Sequence, residues 1–287
     1  KSLMDMPKIL GNADPMHFAQ MLPGVQTNTE FRCGTNIEGC DNSHNVVELG
    51  GVPVYNASHL LGMFSVFNAS HYSTMNVAKT PVGASSAARI GGTLSFEPFY
   101  EAPPSTTGEA SVGLVSSQAT VHSRLGRNTH ATLSLRASYI NLLYGHWLRA
   151  DDNDINYFFY DANLTLVHRF SASDALAFDA YAGTDNAKIT DPGYFATMRA
   201  RWGNIMGALH WLHDAGLWHM RHTIYATSYA NMFRLEMEEM KAKLPSSIAD
   251  VGWRSDLRWL KWKAGGAFAL HRIKPQGVES YGDYELN

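Results

Sequence analysis

THATLSLRASY, residues 129–139, alternates strictly: Ala131, Leu133, Leu135, Ala137 and Tyr139 fall on one side of an extended chain, and His130, Thr132, Ser134, Arg136 and Ser138 on the other. One side is greasy and the other wet, which is a half-buried β-strand. The same period recurs downstream. In DANLTLVHRF (161–170), Ala162, Leu164, Leu166 and Phe170 oppose Asp161, Asn163, Thr165 and Arg169. Leu176, Phe178, Ala180 and Ala182 share a face in the next run, and Val251, Trp253, Leu257 and Trp259 oppose Arg254, Asp256 and Arg258. About nine such strands are expected from Gly108 to the last residue.

Alternation alone also fits a soluble β-sandwich binding module, whose strands likewise hide one face. Two features favour a membrane barrel. Connections alternate in length: short turns at 125–129, 170–174, 213–216 and 260–261 interleave with longer polar loops near 143–156, 185–197 and 232–247, as in outer-membrane barrels. Aromatics gather near strand ends, at Tyr157, Phe158, Tyr160, Phe170, Trp211, Trp218, Trp253, Trp259 and Trp262, where interfacial girdles lie. The uncharged stretch Val52 to Val77 contains Asn, Ser, His and Pro, so no segment offers the roughly 20 apolar residues of a membrane helix. A spanning chain of this composition crosses with strands.

The first hundred residues have another texture. Short apolar runs, NVVELGGVPVY (45–55) and TMNVAK (74–79), are broken by Gly, Asn, Ser and Pro. Asp14 caps and Pro15 opens a short helix. PPSTTGE (103–109) reads as a linker. Composition bounds the rest: 45% hydrophobic and 17% charged make a sizeable core, and a formal net charge of −3 excludes the basic footprint of a nucleic-acid binder.

PKILGNADPMHFAQMLPGVQTNTE (7–30), HNVVELGGVPVYNASHLLGMFSVFN (44–68) and ARIGGTL (88–94) resemble the plug of TonB-dependent outer-membrane receptors, most closely the Bacteroidetes branch of SusC-like and carboxypeptidase-regulatory-domain-bearing transporters. YDANLTLVHRFSASDALAFDAYAGTD (160–185) and RWGNIMGALHW (201–211) resemble early barrel hairpins of that branch. The resemblance implies a mainly β chain: a plug domain over 1–104, then an incomplete, open transmembrane antiparallel β-barrel segment over 105–287. A family barrel has about 22 strands and a lumen that must be plugged, so this stretch is expected to be a fragment, lacking a signal peptide and the remaining strands, with its free edge at roughly 262–271. The implied function is energy-coupled nutrient uptake across a Gram-negative outer membrane. The implied partners are the TonB complex, reached through a missing N-terminal segment, a surface lipoprotein, membrane lipid, and a glycan, peptide or metal-chelate substrate. A passive or adhesive barrel is the rival membrane reading.

Family plugs contact substrate through outward loops, which here map to Gln26, Thr27, Asn28, Tyr55, Asn56 and His59. Arg89 matches the plug arginine that pairs with the wall. Two departures bear on gating: Glu38-Gly39-Cys40 replaces the usual Arg-Gly-Gly, and Gly50-Gly51-Val52-Pro53 replaces Asp-Gly-x-Pro. Cys33 and Cys40 read as free thiols in a packed plug, with a disulfide as the alternative. No metal, cofactor or catalytic motif is expected. His210 and His213, and His219 and His222, are three apart on strands and point to opposite faces. The acidic run Asp151, Asp152, Asp154 reads as a solvated loop, with a calcium site as the alternative.

Overall fold

The computed structural model describes residues 8–9, 11–27, 34–79, 90–146, 154–193, 195–238 and 240–280. Asn28, Cys33, Arg89, Asp151 and Asp152 lie outside these. The N-terminal part is built from short elements because its apolar runs are short. Asp14 caps helix α1 (Pro15–Gln20), its Oδ1 accepting the Met16 N–H at 2.9 Å, and Pro15 sits in the first turn where a missing N–H costs nothing. Four strands form a small mixed sheet: β1 (Val46–Leu49), β2 (Val52–Pro53), β3 (Tyr72–Ala78) and β4 (Thr93–Pro98), in the order β2-β1-β4-β3. β1 and β4 run parallel, with Leu94 beside Val47 and Phe96 beside Leu49. Their inward side chains bury with Val52, Val54, Val66, Phe67 and Tyr72, and Phe67 stacks on Phe96 at 3.9 Å. Gly92 enters this sheet where a Cβ would stand 2.6 Å from Ile37 and 2.8 Å from the Ala78 carbonyl. Only glycine permits that approach. Three two-residue hairpins flank the sheet, one of them pairing Ser58–His59 with Phe64–Ser65.

The rest is one antiparallel meander of nine strands: β5 (Thr107–Val112), β6 (Ser116–Arg124), β7 (Thr129–Ser138), β8 (Asp154–Arg169), β9 (Asp174–Asp191), β10 (Ala196–Ala215), β11 (Trp218–Glu236), β12 (Lys241–Trp259) and β13 (Trp262–Lys274). Each pairs only with its chain neighbours, apart from Glu279–Ser280, which returns to β12. The sheet is open: among the described residues β5 and β13 are its two edges. Among the described residues no helix is long and apolar enough to cross a membrane.

The two faces of this sheet invert the soluble pattern. Ser134 and Thr165 are 0% exposed and Asp179 1%, whereas Leu135 is 51%, Ile224 60% and Phe268 61% exposed. Leu133, Leu166, Phe178 and Trp253 are exposed as well, and Leu164 and Leu257 are partly so. A soluble sandwich would bury the leucines. Here the polar face packs on the N-terminal part and the apolar face looks out, as a barrel wall does around a polar lumen.

Three expectations change. The stretches 185–197 and 232–247 are mostly strand, not loop: β9–β12 each extend well past the apolar run and are joined by connections at 192–195 and 237–240. Alternation misleads there because its sense reverses, with charged Lys188, Arg199 and Arg234 on the outward positions and Ile189, Phe233 and Leu235 on the inward ones, yet the backbone ladder needs only partners for its N–H and C=O groups, and register continues through Lys188 opposite Arg199 and Glu236 opposite Lys241. Likewise the linker is short, since β5 begins at Thr107 within PPSTTGE. Tyr157 does not join the outward girdle either. Parity on β8 sends Phe158 and Tyr160 out, and Tyr157 and Phe159 in, where both are buried.

Candidate functional site

The polar face of the sheet and the N-terminal part meet through side chains that alternation alone places inward. At one end Ser58–His59 turns into Leu60 and Leu61, both at positive φ, and Gly62 at φ 102°. That tight reversal is pinned by the wall: the Leu60 N–H donates to Asp185 Oδ1 at 3.1 Å and to the Tyr157 hydroxyl, which in turn donates to Asp185. His59 lies between two strands, Nδ1 2.7 Å from Asp185 Oδ2 on β9 and Nε2 3.0 Å from Asp161 Oδ2 on β8, its ring stacked on Phe159 at 4.4 Å. Burial alone would push the imidazole down, but hydrogen bonds to Asp161 and Asp185 carry it above its ordinary value. A carboxylate at each nitrogen favours the doubly protonated ring, in which both nitrogens donate.

Arg136 on β7 closes this cluster, donating to Asp161 Oδ2 at 2.8 Å and to the Ser65 carbonyl at 2.6 Å. The Ser65 N–H donates to Asp14 Oδ2 at 2.7 Å. Asp14 is buried, which would raise its carboxyl, but hydrogen bonding to His17 and the Ser65 amide hold it low. Charges buried this way persist only because each is paired and hydrogen-bonded.

Deeper along the wall, His71 sits between Ser134 Oγ at 2.9 Å and Thr165 Oγ1 at 3.1 Å. Burial pushes this imidazole down to about 4, so it is neutral and one nitrogen accepts while the other donates. Thr165 donates on to Asp179 Oδ1 at 2.6 Å, and Asp179 Oδ2 receives the Tyr100 hydroxyl at 2.6 Å with His210 Nε2 3.0 Å away. Tyr72 donates to Asn163 at 2.7 Å. The Leu49–Val52 turn presses its tip here, with Gly50 at φ 57° and a would-be Cβ 3.0 Å from Asp179 Oδ2. Arg221 grips the tip, donating to the Gly50 carbonyl and to Glu97 at 2.8 Å.

Of the residues singled out from sequence, Tyr55, Asn56 and His59 all reach the wall: Tyr55 donates to Asp250, and Asn56 donates to the Tyr229 hydroxyl at 3.1 Å. Gln26 is exposed on a separate hairpin opposite Asn36, followed by Thr27, and the structure does not bring these two to the other three. Asn28 and Arg89 lie outside the described residues, as does Cys33, the counterpart of Cys40. The wall partners Arg136, Asp161, Asp179, Asp185 and Asp250 were not singled out. Their signal was present, since each is a charged residue on the wet side of a strand otherwise paired to apolar neighbours. Among the described residues no three His, Cys, Asp or Glu side chains converge as a metal group.

A curved, outwardly apolar wall holding a polar plug by side-chain hydrogen bonds is the fold of the plug and part of the barrel of TonB-dependent outer-membrane transporters. Solved structures carry that likeness. The copper transporter OprC superposes with a TM-score of 0.62 at 12% identity, over 94% of this chain and 56% of that one. The outer membrane transporter YddB from Escherichia coli gives 0.62 at 10% identity over 93% and 46%. The siderophore receptor PirA from Pseudomonas aeruginosa gives 0.51 at 11% identity over 93% and 55%. The chain thus spans about half the length of the solved transporters it matches. At these identities the likeness is one of fold. No protein-family profile and no curated protein matches the sequence.

Proposed function

We propose that this chain is the plug, residues 1–104, and the first barrel strands, residues 105–287, of a TonB-dependent transporter that takes a nutrient across a Gram-negative outer membrane. No covalent chemistry is involved. The observation that carries the reading is the inverted burial of the nine-stranded sheet, apolar outside and hydrogen-bonded to a plug inside. The motifs at 7–30, 44–68 and 88–94 support the SusC-like branch. With it come the TonB complex, acting through a segment upstream of the plug, and a surface lipoprotein partner. The substrate is a glycan, a peptide or a metal chelate. Exposed Gln26 and Asn56, with Thr27, Asn28 and Tyr55, are the proposed contacts. His59 is buried between wall carboxylates, so it reaches a substrate only once the plug shifts. Arg89 is proposed to pair with a wall carboxylate.

The test is growth of a strain deleted for the full gene on a panel of single nutrients, beside a strain lacking TonB. A nutrient on which both strains fail supports energy-coupled uptake. Uptake that survives loss of TonB sinks it.

A further inference from the structure

Beyond the apolar band, the outward face of β9–β12 carries a row of bases set by strand register. Lys188 stands opposite Arg199, Arg199 opposite Arg234, and Arg234 opposite Lys243, on four successive strands. Arg201 lies one step nearer the band, between Asn186 and Met232. Directly opposed like charges repel across a sheet. The carboxylates of this face sit at the margins: Glu279 opposite Lys243, Glu236 opposite Lys241, Asp154 opposite Thr190. Among the described residues Lys188, Arg199, Arg201 and Arg234 take no hydrogen bond or ion pair, and Arg234 Nε is buried without an acceptor. A guanidinium nitrogen desolvated with nothing to donate to has unmet capacity that an anion beside it would satisfy.

Depth says which anion. On β10 the outward face runs from Trp211, stacked on His222 near the short turn, through Leu209 and Ile205 to Arg201 and Arg199. From Trp211 to Arg199 the strand rises about 40 Å, which at a tilt of about 40° is about 30 Å of depth, one step past an apolar band of about 25 Å. The row therefore stands at headgroup level, above a face that contacts acyl chains. Arginines on neighbouring strands are about 5 Å apart, a spacing that shares the oxygens of one phosphate.

We propose that Lys188, Arg199, Arg201 and Arg234 bind the phosphate of a membrane-lipid headgroup in the leaflet at the end of the sheet that carries the 192–195 and 237–240 connections. The proposal rests on the membrane-spanning reading. It is tested on the full-length protein reconstituted into phosphatidylcholine vesicles with and without phosphatidic acid, by native mass spectrometry of retained lipid. Tryptophan quenching by brominated acyl chains is read in parallel. Retention of phosphatidic acid over phosphatidylcholine is expected. It should fall at least tenfold in the triple variant Lys188→Gln, Arg199→Gln, Arg234→Gln, at about the weight of one surface charge per side chain, and persist in Arg258→Gln at the opposite rim. Arg199→Lys with Arg234→Lys keeps the charge and serves if the triple variant does not insert; it should lose selectivity for the phosphate monoester over other anionic lipid. Equal retention in wild type and triple variant with quenching intact overturns the lipid site alone. Displacement of the lipid by inorganic phosphate overturns it too, making the row a site for a free anion. Absence of quenching overturns the membrane reading and this proposal together.

Discussion

His59 Nε2 lies 3.0 Å from Asp161 Oδ2, and that oxygen is 2.8 Å from Arg136, so one wall carboxylate oxygen serves a plug cation and a wall cation at once. His59→Gln removes the plug cation and leaves Asp161 and Asp185 buried with less compensation. Removing one member of such a buried pair costs about 3–5 kcal/mol. Because the imidazole is raised above its ordinary value, its contribution is full below the unfolded value of 6.5 and is lost as pH rises through the raised one. Denaturant unfolding of the plug at several pH values should show this for the native chain, and for His59→Gln, at lower stability, the loss on the rising-pH side should be absent.

His71 works in the opposite direction. It is neutral when folded, with its pKa pushed down to about 4, while the unfolded imidazole titrates near 6.5. Stability is therefore lost as pH falls from about 6.5 to about 4, amounting to about 3 kcal/mol once both forms are protonated. Amide exchange of β3 and β4 measured at neutral and mildly acid pH should reveal the loss, and His71→Gln should abolish the acid limb. An unchanged acid limb in that variant assigns the loss to another group.

Depth should govern substitutions on the outward face. Leu133 sits mid-band opposite Leu164, whereas Met232 lies between Arg201 and Pro245 near the rim. Leu133→Arg is expected to cost about 2–4 kcal/mol in a bilayer and Met232→Arg about 0–1. Folding titrations in vesicles decide this, and equal costs count against a membrane wall. Ser134, on the wet side of the same strand as Leu133, is fully buried against His71 and Thr120, so an arginine there displaces the plug.

Gly50→Asp, which restores the family's acidic residue, brings a carboxylate to the side of Asp179 where a bare Cβ already stands 3.0 Å from Oδ2. Unseating of the turn is expected to cost about 2–4 kcal/mol. Asp179→Asn should recover part of it. Absence of any coupling between the two substitutions in a thermal-unfolding cycle would show that the turn tolerates both acids.

The sheet was legible in the sequence because alternation reports faces directly. Leu133, Leu135, Phe178 and Trp253 look outward as their period demands, and the meander has the expected nine strands and an edge at β13. What alternation could not say was where a strand stops. At Lys188 and Arg234 the outward positions turn charged while Ile189, Phe233 and Leu235 take the inward face, so the periodic signal reverses while the hydrogen-bonded ladder runs on. The plug side of the interface was visible only indirectly: Tyr55, Asn56 and His59 stood out through the resemblance as substrate contacts, and their hydrogen-bond partners on the wall are at least 102 positions downstream and so close in type to ordinary lumen residues that only register joins them. His59 to Asp185 is a separation of 126 and Tyr55 to Asp250 one of 195. Local pattern carries no information over such distances.

Asp14 accepts the first helical amides through one oxygen and the Ser65 amide through the other. Ser65 is in turn held by Arg136, and Arg136 shares Asp161 with His59. Tension arriving along the backbone at Asn12 thus has a load path of hydrogen bonds in series, from α1 through the Ser58–Ser65 hairpin to β7 and β8. Bonds in series share one force, so the weakest member yields first and the others are spared. The two contacts at Ser65 are neutral-backbone ends of that path, whereas the His59 and Arg136 contacts to Asp161 join full charges. Under a pull applied there, the hairpin would part from Asp14 or Arg136 before the charged anchor on the wall lets go.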